Sequence, residues 1–402
     1  MSYQCLDEER KIYFKKDSAK ALSDTKKIIF DFDGVLVQTS QSYRQTIRRV
    51  VDYYFLEILG LEGERGKLVT LGDIQSFKDT GLYNNDWNLT YALIAYYLAL
   101  LMRKLQKRRT LQNFTKRFSD IQFSEAGSFL QTLREIGDFL GRYGLNATEL
   151  VDTKNDSAVG IESLLTRVRL ENQSSLEVAL KPILPEAGGE QLTLIRKLVP
   201  YNLEKPDLLK RLFEETYLGA KLFSKFYGVP SIFKFDESFI EKESFIPTEK
   251  TLDALRLRFG KFAIYSEKPR DQGIYLLEKN NLKEYFDENG LIFQEDIFAS
   301  EEIPFGACES VQLGKPNPTF FIKMVEKLAG KVVYVGDGIA DMLLIENARL
   351  QGLSNILFFG VLCSSQYPDQ LFSQYVKHGA DAVMTDVNDI PNLYASLGGK
   401  VE

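Results

Sequence analysis

Apolar residues follow two different rhythms along this chain. Near its beginning and through its last third they come as short runs: Ile28-Ile29-Phe30, Phe262-Ala263-Ile264-Tyr265, Leu291-Ile292-Phe293, Val332-Val333-Tyr334-Val335, Ile356 to Phe359 and Ala382 to Met384. Each run has the length and composition of a buried strand. Between the first run and the rest, the period changes. Tyr43, Ile47, Val50, Val51, Tyr54, Phe55 and Ile58 recur at helical intervals, with Gly60 as a stop. Tyr91 to Met102 is apolar on nearly every side, as in a buried helix. Two more helical stripes follow, one through Phe129, Leu133, Ile136 and Leu140, the other through Leu208, Leu212, Phe213, Tyr217 and Phe223. Pro182, Pro185, Gly188 and Gly189 mark a loop between them.

Strands that alternate with helices predict a parallel sheet with right-handed crossovers. The expected fold is α/β: a Rossmann-like, doubly wound parallel-sheet core over 25–40 and 245–402. An all-helical domain over 41–244 interrupts it, and 1–24 forms an N-terminal extension with one short helix packed outside. Thr248 is placed to cap the helix that re-enters the core, and Pro318 falls near the first turn of another.

Composition narrows the function classes. The chain has 402 residues, 44% hydrophobic and 26% charged, with a net charge of −6, which gives no reason to expect nucleic acid or an anionic membrane as partner. Arg103, Lys104, Lys107, Arg108 and Arg109 cluster at a predicted helix end, where basic residues are favoured. Cys5, Cys308 and Cys363 are too widely spaced for a disulfide framework or a zinc site. His378 is the only histidine, so a multi-histidine metal centre is excluded. No signal-peptide pattern opens the chain and no apolar run is long enough to span a bilayer, so a cytoplasmic protein is expected.

Candidate chemistry sits where the first strand ends, at Asp31-Phe32-Asp33-Gly34. Two carboxylates at the carboxyl end of a strand suit a hard cation such as Mg²⁺, and an aspartate can act as a nucleophile. The same tetrad also fits a charged turn. An EF-hand calcium loop is disfavoured, because the twelfth position from Asp31 is Ser42 rather than Glu. Ser266 and Gly336-Asp337 also fall at predicted strand ends, where ligands bind in open α/β sheets.

Taken in order, Asp31-Phe32-Asp33-Gly34, Ser266, Lys315 before Pro316, and Gly336-Asp337 with Asp341 resemble the motifs of the haloacid dehalogenase superfamily of phosphohydrolases. The resemblance covers about 27–39 and most of 247–395. It implies Asp31 as nucleophile and Asp33 as general acid and then base. It implies Ser266 and Lys315 as partners of the phosphoryl oxygens. The Asp31 carboxylate, Asp33 through its backbone carbonyl, Asp337 and Asp341 would hold Mg²⁺. The helical insert resembles the cap found after the first motif in one branch of the superfamily, here unusually long. Glu267-Lys268-Pro269-Arg270 departs from the expected turn after the second motif. A glutamate near a phosphate needs compensation by Lys268 or Arg270.

The implied activity is Mg²⁺-dependent hydrolysis of a small phosphorylated metabolite through an aspartyl-phosphate. A phosphotransferase or phosphomutase, or a catalytically silent phosphate-binding regulator, would share the motifs. Nothing marks a second phosphate-holding site, which favours hydrolysis. In the insert, Asn84, Asn85 and Asp86 beside Trp87 are candidate substrate contacts, together with Arg270 from the core. Asp86 or Asn88 would otherwise serve as the cap of the long apolar helix.

Overall fold

The computed structural model describes residues 2–83, 85–121, 126–184, 189–200, 208–299 and 314–398. The chain divides into two units, Met1–Thr39 with Glu243–Glu402, and Ser40–Lys242.

In the first unit the strands are β1 (Tyr3–Asp7), β2 (Ile12–Lys15), β3 (Thr25–Phe30), β4 (Val37–Gln38), β5 (Ser244–Phe245), β6 (Phe262–Tyr265), β7 (Phe286–Ile292), β8 (Lys331–Gly336), β9 (Ile356–Val361) and β10 (Ala382–Met384). Among the described residues eight of them form one sheet in the order β1-β2-β10-β9-β8-β3-β6-β7. The six strands from β10 to β7 pair in parallel. Helices join them, and the inner strands β3, β6, β8, β9 and β10 are buried on both faces along most of their length. Ile28, Ile29 and Phe30, all of Val332 to Val335 and every residue of β9 are buried. That double burial explains why these runs are continuously apolar rather than alternating. β3 lies between β6 and β8, and the chain leaves it toward β6 and β7 before returning to the other side. The carboxyl end of β3 is therefore a topological switch point.

The N-terminal segment differs from expectation. Besides the short helix Ala19–Ser23, it supplies the hairpin β1–β2, which extends the sheet antiparallel to β10. Ile12 and Phe14 point into the core and alternate with half-buried Tyr13 and Lys15. Asp381 anchors this edge: it accepts from Ser18 Oγ at 2.6 Å and from Phe358 N–H at 2.9 Å, and pairs with Arg349. Tyr3–Asp7 and Ile12–Lys15 are thus part of the sheet. A four-residue alternation was too short to signal it.

Among its described residues the second unit contains helices and no strand. Its longest helix, Asp86–Lys107, buries residues around most of its circumference, and at its basic end Lys104 and Arg108 both pair with Glu149. No helix among the described residues is long and apolar enough to cross a membrane. The helix Tyr43–Asp52 widens into a π-helical turn, Tyr53–Ile58. Tyr43 stacks on Tyr217 at 4.4 Å, which joins the start of that helix to Leu208–Tyr227.

The cap of Asp86–Lys107 is Asn85, not Asp86 or Asn88. Its side-chain oxygen accepts from Trp87 N–H and Asn88 N–H, each at 3.0 Å. Asp86 is the first helical residue and pairs with Lys78 at 2.9 Å. Asn85→Ala is therefore expected to cost about 1 kcal/mol, and Asp86→Ala, which loses only a partly exposed ion pair, less. Thermal melts of the two variants check the order; a larger loss for Asp86→Ala would reassign the cap.

Candidate active site

The site is built on register. Phe30 pairs with Val335 on one side and Ile264 on the other, so β3, β6 and β8 end at one level. Asp31 N–H donates to Val335 O at 2.9 Å, which carries the ladder one residue past β3. Asp31 follows β3, Ser266 follows β6 and Asp337 follows β8. The chain then turns sharply: Gly34 N–H donates to Val37 O at 2.7 Å and Leu36 N–H to Phe32 O at 2.9 Å. Gly34 has φ +77°, and a Cβ there would lie 1.8 Å from Asp337 Oδ2. Glycine is required twice over, by backbone conformation and by the carboxylate packed against it.

Oxygens of Asp31, Asp337 and Asp341 all lie within 4.8 Å of one another. Lys315 is set among them, 2.7 Å from Asp31 Oδ2 and 2.8 Å from Asp341 Oδ1, with its side chain only 2% exposed. Asp341 also accepts from Tyr334 OH at 2.7 Å and from Gly338 N–H at 3.1 Å, so it both orients the lysine and caps its own helix. Asp31 Oδ1 accepts from Phe32 N–H at 2.7 Å, and Asp337 Oδ2 accepts from Ser364 Oγ at 2.5 Å.

The charges do not balance. Burial pushes the Asp31 carboxyl well above the usual carboxylate range; Lys315 opposes this, and Asp341 and Asp337 add to it. Burial alone would lower Lys315, but Asp31, Asp341 and Glu267 together hold it above the usual lysine value and keep it charged. Three carboxylates facing one ammonium leave an excess of negative charge that a divalent cation would relieve. The donors are all oxygen, which fits Mg²⁺ or another hard cation and does not suit zinc. Asp31 and Asp337 are the carboxylates best placed to hold it, with Asp341 beside them.

Asp33 lies apart from this cluster. Its Oδ1 accepts from Lys268 Nζ at 2.8 Å, and the same ammonium lies 3.2 Å from Glu243 Oε2. Ser266 Oγ accepts from Lys268 N–H at 3.2 Å. Glu267 is engaged by the segment that carries Lys315. Its carboxylate accepts the backbone N–H of Lys315 at 2.5 Å, and only a glycine at 314 leaves room for it. Arg270 is not brought to the cluster: its guanidinium donates to Leu291 O at 2.8 Å and pairs with Asp296. Asn85 and Asp86 lie in the helical unit, engaged at the helix start, and Trp87 donates its indole N–H to buried Glu214 at 2.8 Å. Asn84 lies outside the described residues.

Sequence reasoning did not find Glu243, Tyr334 or Ser364, and considered Lys268 only as a counter-charge for Glu267. Lys268 carried a usable signal, since a lysine three residues past a strand end, flanked by proline, is poorly placed to reach solvent. Glu243 and Ser364 carried none.

Gly34→Ala is expected to destabilise the protein by about 1–3 kcal/mol, from the strained φ together with displacement of Asp337. A denaturant midpoint equal to that of the unsubstituted protein would show that the turn relaxes around the methyl group.

Comparison with known proteins bears on the same residues. The model of the haloacid dehalogenase-like hydrolases matches residues 25–349, and the chain belongs to that family. No curated protein matches it. Among solved structures, a target of the Northeast Structural Genomics Consortium is 20% identical, with 93% of this chain and 99% of that one covered and a TM-score of 0.56. Phosphatase Tt82 from Thermococcus thioreducens is 18% identical over 93% of this chain and 99% of that one, at a TM-score of 0.44. A protein from Haemophilus somnus 129PT described as a predicted phosphoglycolate phosphatase is 14% identical over 92% and 97%, at a TM-score of 0.38. The first of these supports the fold.

Proposed function

We propose that this haloacid dehalogenase-like hydrolase is a Mg²⁺-dependent phosphatase that hydrolyses a small phosphorylated metabolite through an aspartyl-phosphate on Asp31. The observation that carries the reading is the pairing of Asp31 with buried Lys315 at the carboxyl end of β3, with Ser266 and Asp337 at the ends of the two flanking strands. Phosphoryl transfer asks mainly for positioning and charge compensation, and this is an arrangement of that kind.

In this mechanism Asp31 attacks phosphorus as the bond from phosphorus to the leaving oxygen breaks. Asp33 gives its proton to that oxygen. It then takes a proton from the water that attacks the aspartyl-phosphate, releasing inorganic phosphate and restoring Asp31. Lys315, adjacent to Asp31, offsets charge on the phosphoryl oxygens. Ser266, whose hydroxyl already accepts from Lys268 N–H, has its own proton to donate to them. A bound Mg²⁺ supplies the charge neutralisation that lets a dianionic phosphate approach several carboxylates. The helical unit would supply substrate selection, since inserted caps exclude water and choose among small ligands.

Two outcomes test this. With a panel of phosphate esters in Mg²⁺, Asp31→Asn should lower phosphate release on the order of 10³-fold or more, with the fold retained by circular dichroism. Turnover close to that of the unsubstituted protein would overturn the nucleophile. Excess EDTA should abolish release and Mg²⁺ should restore it, whereas Ca²⁺, with its longer bonds and higher coordination number, should not. Full activity in EDTA would remove the metal from the reaction.

A further inference from the structure

Lys268 is spent on something other than solvation. Its side chain is 0% exposed, and so is that of Glu243, while the Asp33 side chain is 30% exposed. The ammonium reaches Asp33 Oδ1 at 2.8 Å and Glu243 Oε2 at 3.2 Å, and lies 5.6 Å from the centre of the Phe32 ring. Phe32 separates Asp31 from Asp33 in the chain and packs edge-on against Phe245 and Phe293. Glu243 is the residue before β5, which pairs with β4 just beyond the Asp33 turn. The lysine therefore touches two residues of the nucleophile loop and one beside the ribbon that follows it.

We infer that Lys268, held by Glu243, is a positioning residue for Asp33: it pins one carboxyl oxygen so that the other faces the leaving group. Among the described residues Asp33 Oδ2 accepts no hydrogen bond, which leaves it to carry the proton. A carboxyl group in a turn, a third exposed and without such a tether, would sample several rotamers, and few of them would reach the leaving oxygen. Removing the tether therefore affects proton donation and leaves attack by Asp31 intact. The inference rests on the phosphatase reading, in which Asp33 is the acid.

The two can be separated by leaving-group dependence. The full-length protein in Mg²⁺ is assayed with substituted phenyl phosphates running from p-nitrophenyl phosphate, whose phenolate departs with little protonation, to phenyl phosphate, whose phenolate needs it. Comparing kcat/KM confines the readout to the step in which Asp33 donates. General acid catalysis commands on the order of 10²- to 10⁴-fold. Lys268→Met is therefore expected to lower kcat/KM for phenyl phosphate roughly 10- to 100-fold more than for p-nitrophenyl phosphate, and Lys268→Arg to narrow that gap. A merely structural role would lower the whole series alike, and that parallel fall, or an unchanged slope, would overturn the positioning role. Lys268→Met alone takes the lysine from the buried Glu243 carboxylate. The double variant Lys268→Met, Glu243→Gln removes both charges and is measured beside it, with a melt to show that it folds. The same steepened slope is expected, and an unsteepened slope in the folded double variant would overturn the inference. Release from the series that is absent in the unsubstituted protein, or equal in Asp31→Asn, would overturn the reaction itself, not the tether alone.

Discussion

Burying an ammonium between carboxylates is the constraint around which the first unit is arranged. Lys315 and Asp341 are almost completely withdrawn from water and Asp31 nearly so. Charges in that position are tolerated only when they are paired and their remaining hydrogen-bonding capacity is met. Each neighbour contributes to that requirement. Tyr334 comes up from β8 to Asp341, Gly338 N–H closes on its other oxygen, and Glu267 holds the backbone from which Lys315 extends. Glycines at 34, 314 and 336 are needed because carboxylates occupy the space where their Cβ atoms would stand. The local sequence is small and acidic where the sheet ends because the ion cluster fills that volume.

The two aspartates of the first motif serve different lysines. In a continuous strand, residues two apart share a face, and Asp31 and Asp33 would compete for one counter-ion. Here the strand ends at Phe30 and the turn closes between Phe32 and Val37. Asp31 stays with Lys315 in the dry interior, and Asp33 swings to Lys268 at a partly exposed position. One short loop thus places two chemically identical side chains in different surroundings, the condition for giving them different tasks.

What could be read from the sequence follows the same division. The core strands were legible because double burial makes them continuous apolar runs, and the strand-end aspartates stood out as polar residues closing those runs. The edge hairpin was not, because β1 and β2 are short and half-polar, and only Ile12 and Phe14 face inward. The cap of Asp86–Lys107 was misplaced by a residue or more within Asn84-Asn85-Asp86-Trp87-Asn88, where several side chains can cap and only backbone geometry decides. Arg270 looked like a phosphate partner by proximity in sequence to Ser266. It begins a helix, however, and the carbonyl of Leu291 and the Asp296 carboxylate are closer partners. Glu243 was invisible, since its contact with Lys268 joins residues 25 apart and depends on how the chain returns to the core.

That return also explains how the core tolerates so long an interruption. The chain leaves the first unit after β4 and re-enters at Glu243 before β5, and these two strands pair with each other, Val37 with Phe245 and Gln38 with Ser244. Ile246 N–H adds a bond to Leu36 O at 2.8 Å. The two crossings are therefore tied at their base by backbone hydrogen bonds internal to the first unit. With the ends held together, the length of what lies between them enters only through loop closure, where each doubling costs about 0.6 kcal/mol. The Ser40–Lys242 segment also buries apolar residues of its own, Tyr96, Leu133 and Phe213 among them. The ribbon that anchors the insert places Glu243 against Lys268. The geometry that makes a long insertion tolerable is therefore the same geometry that fixes the acid of the first motif.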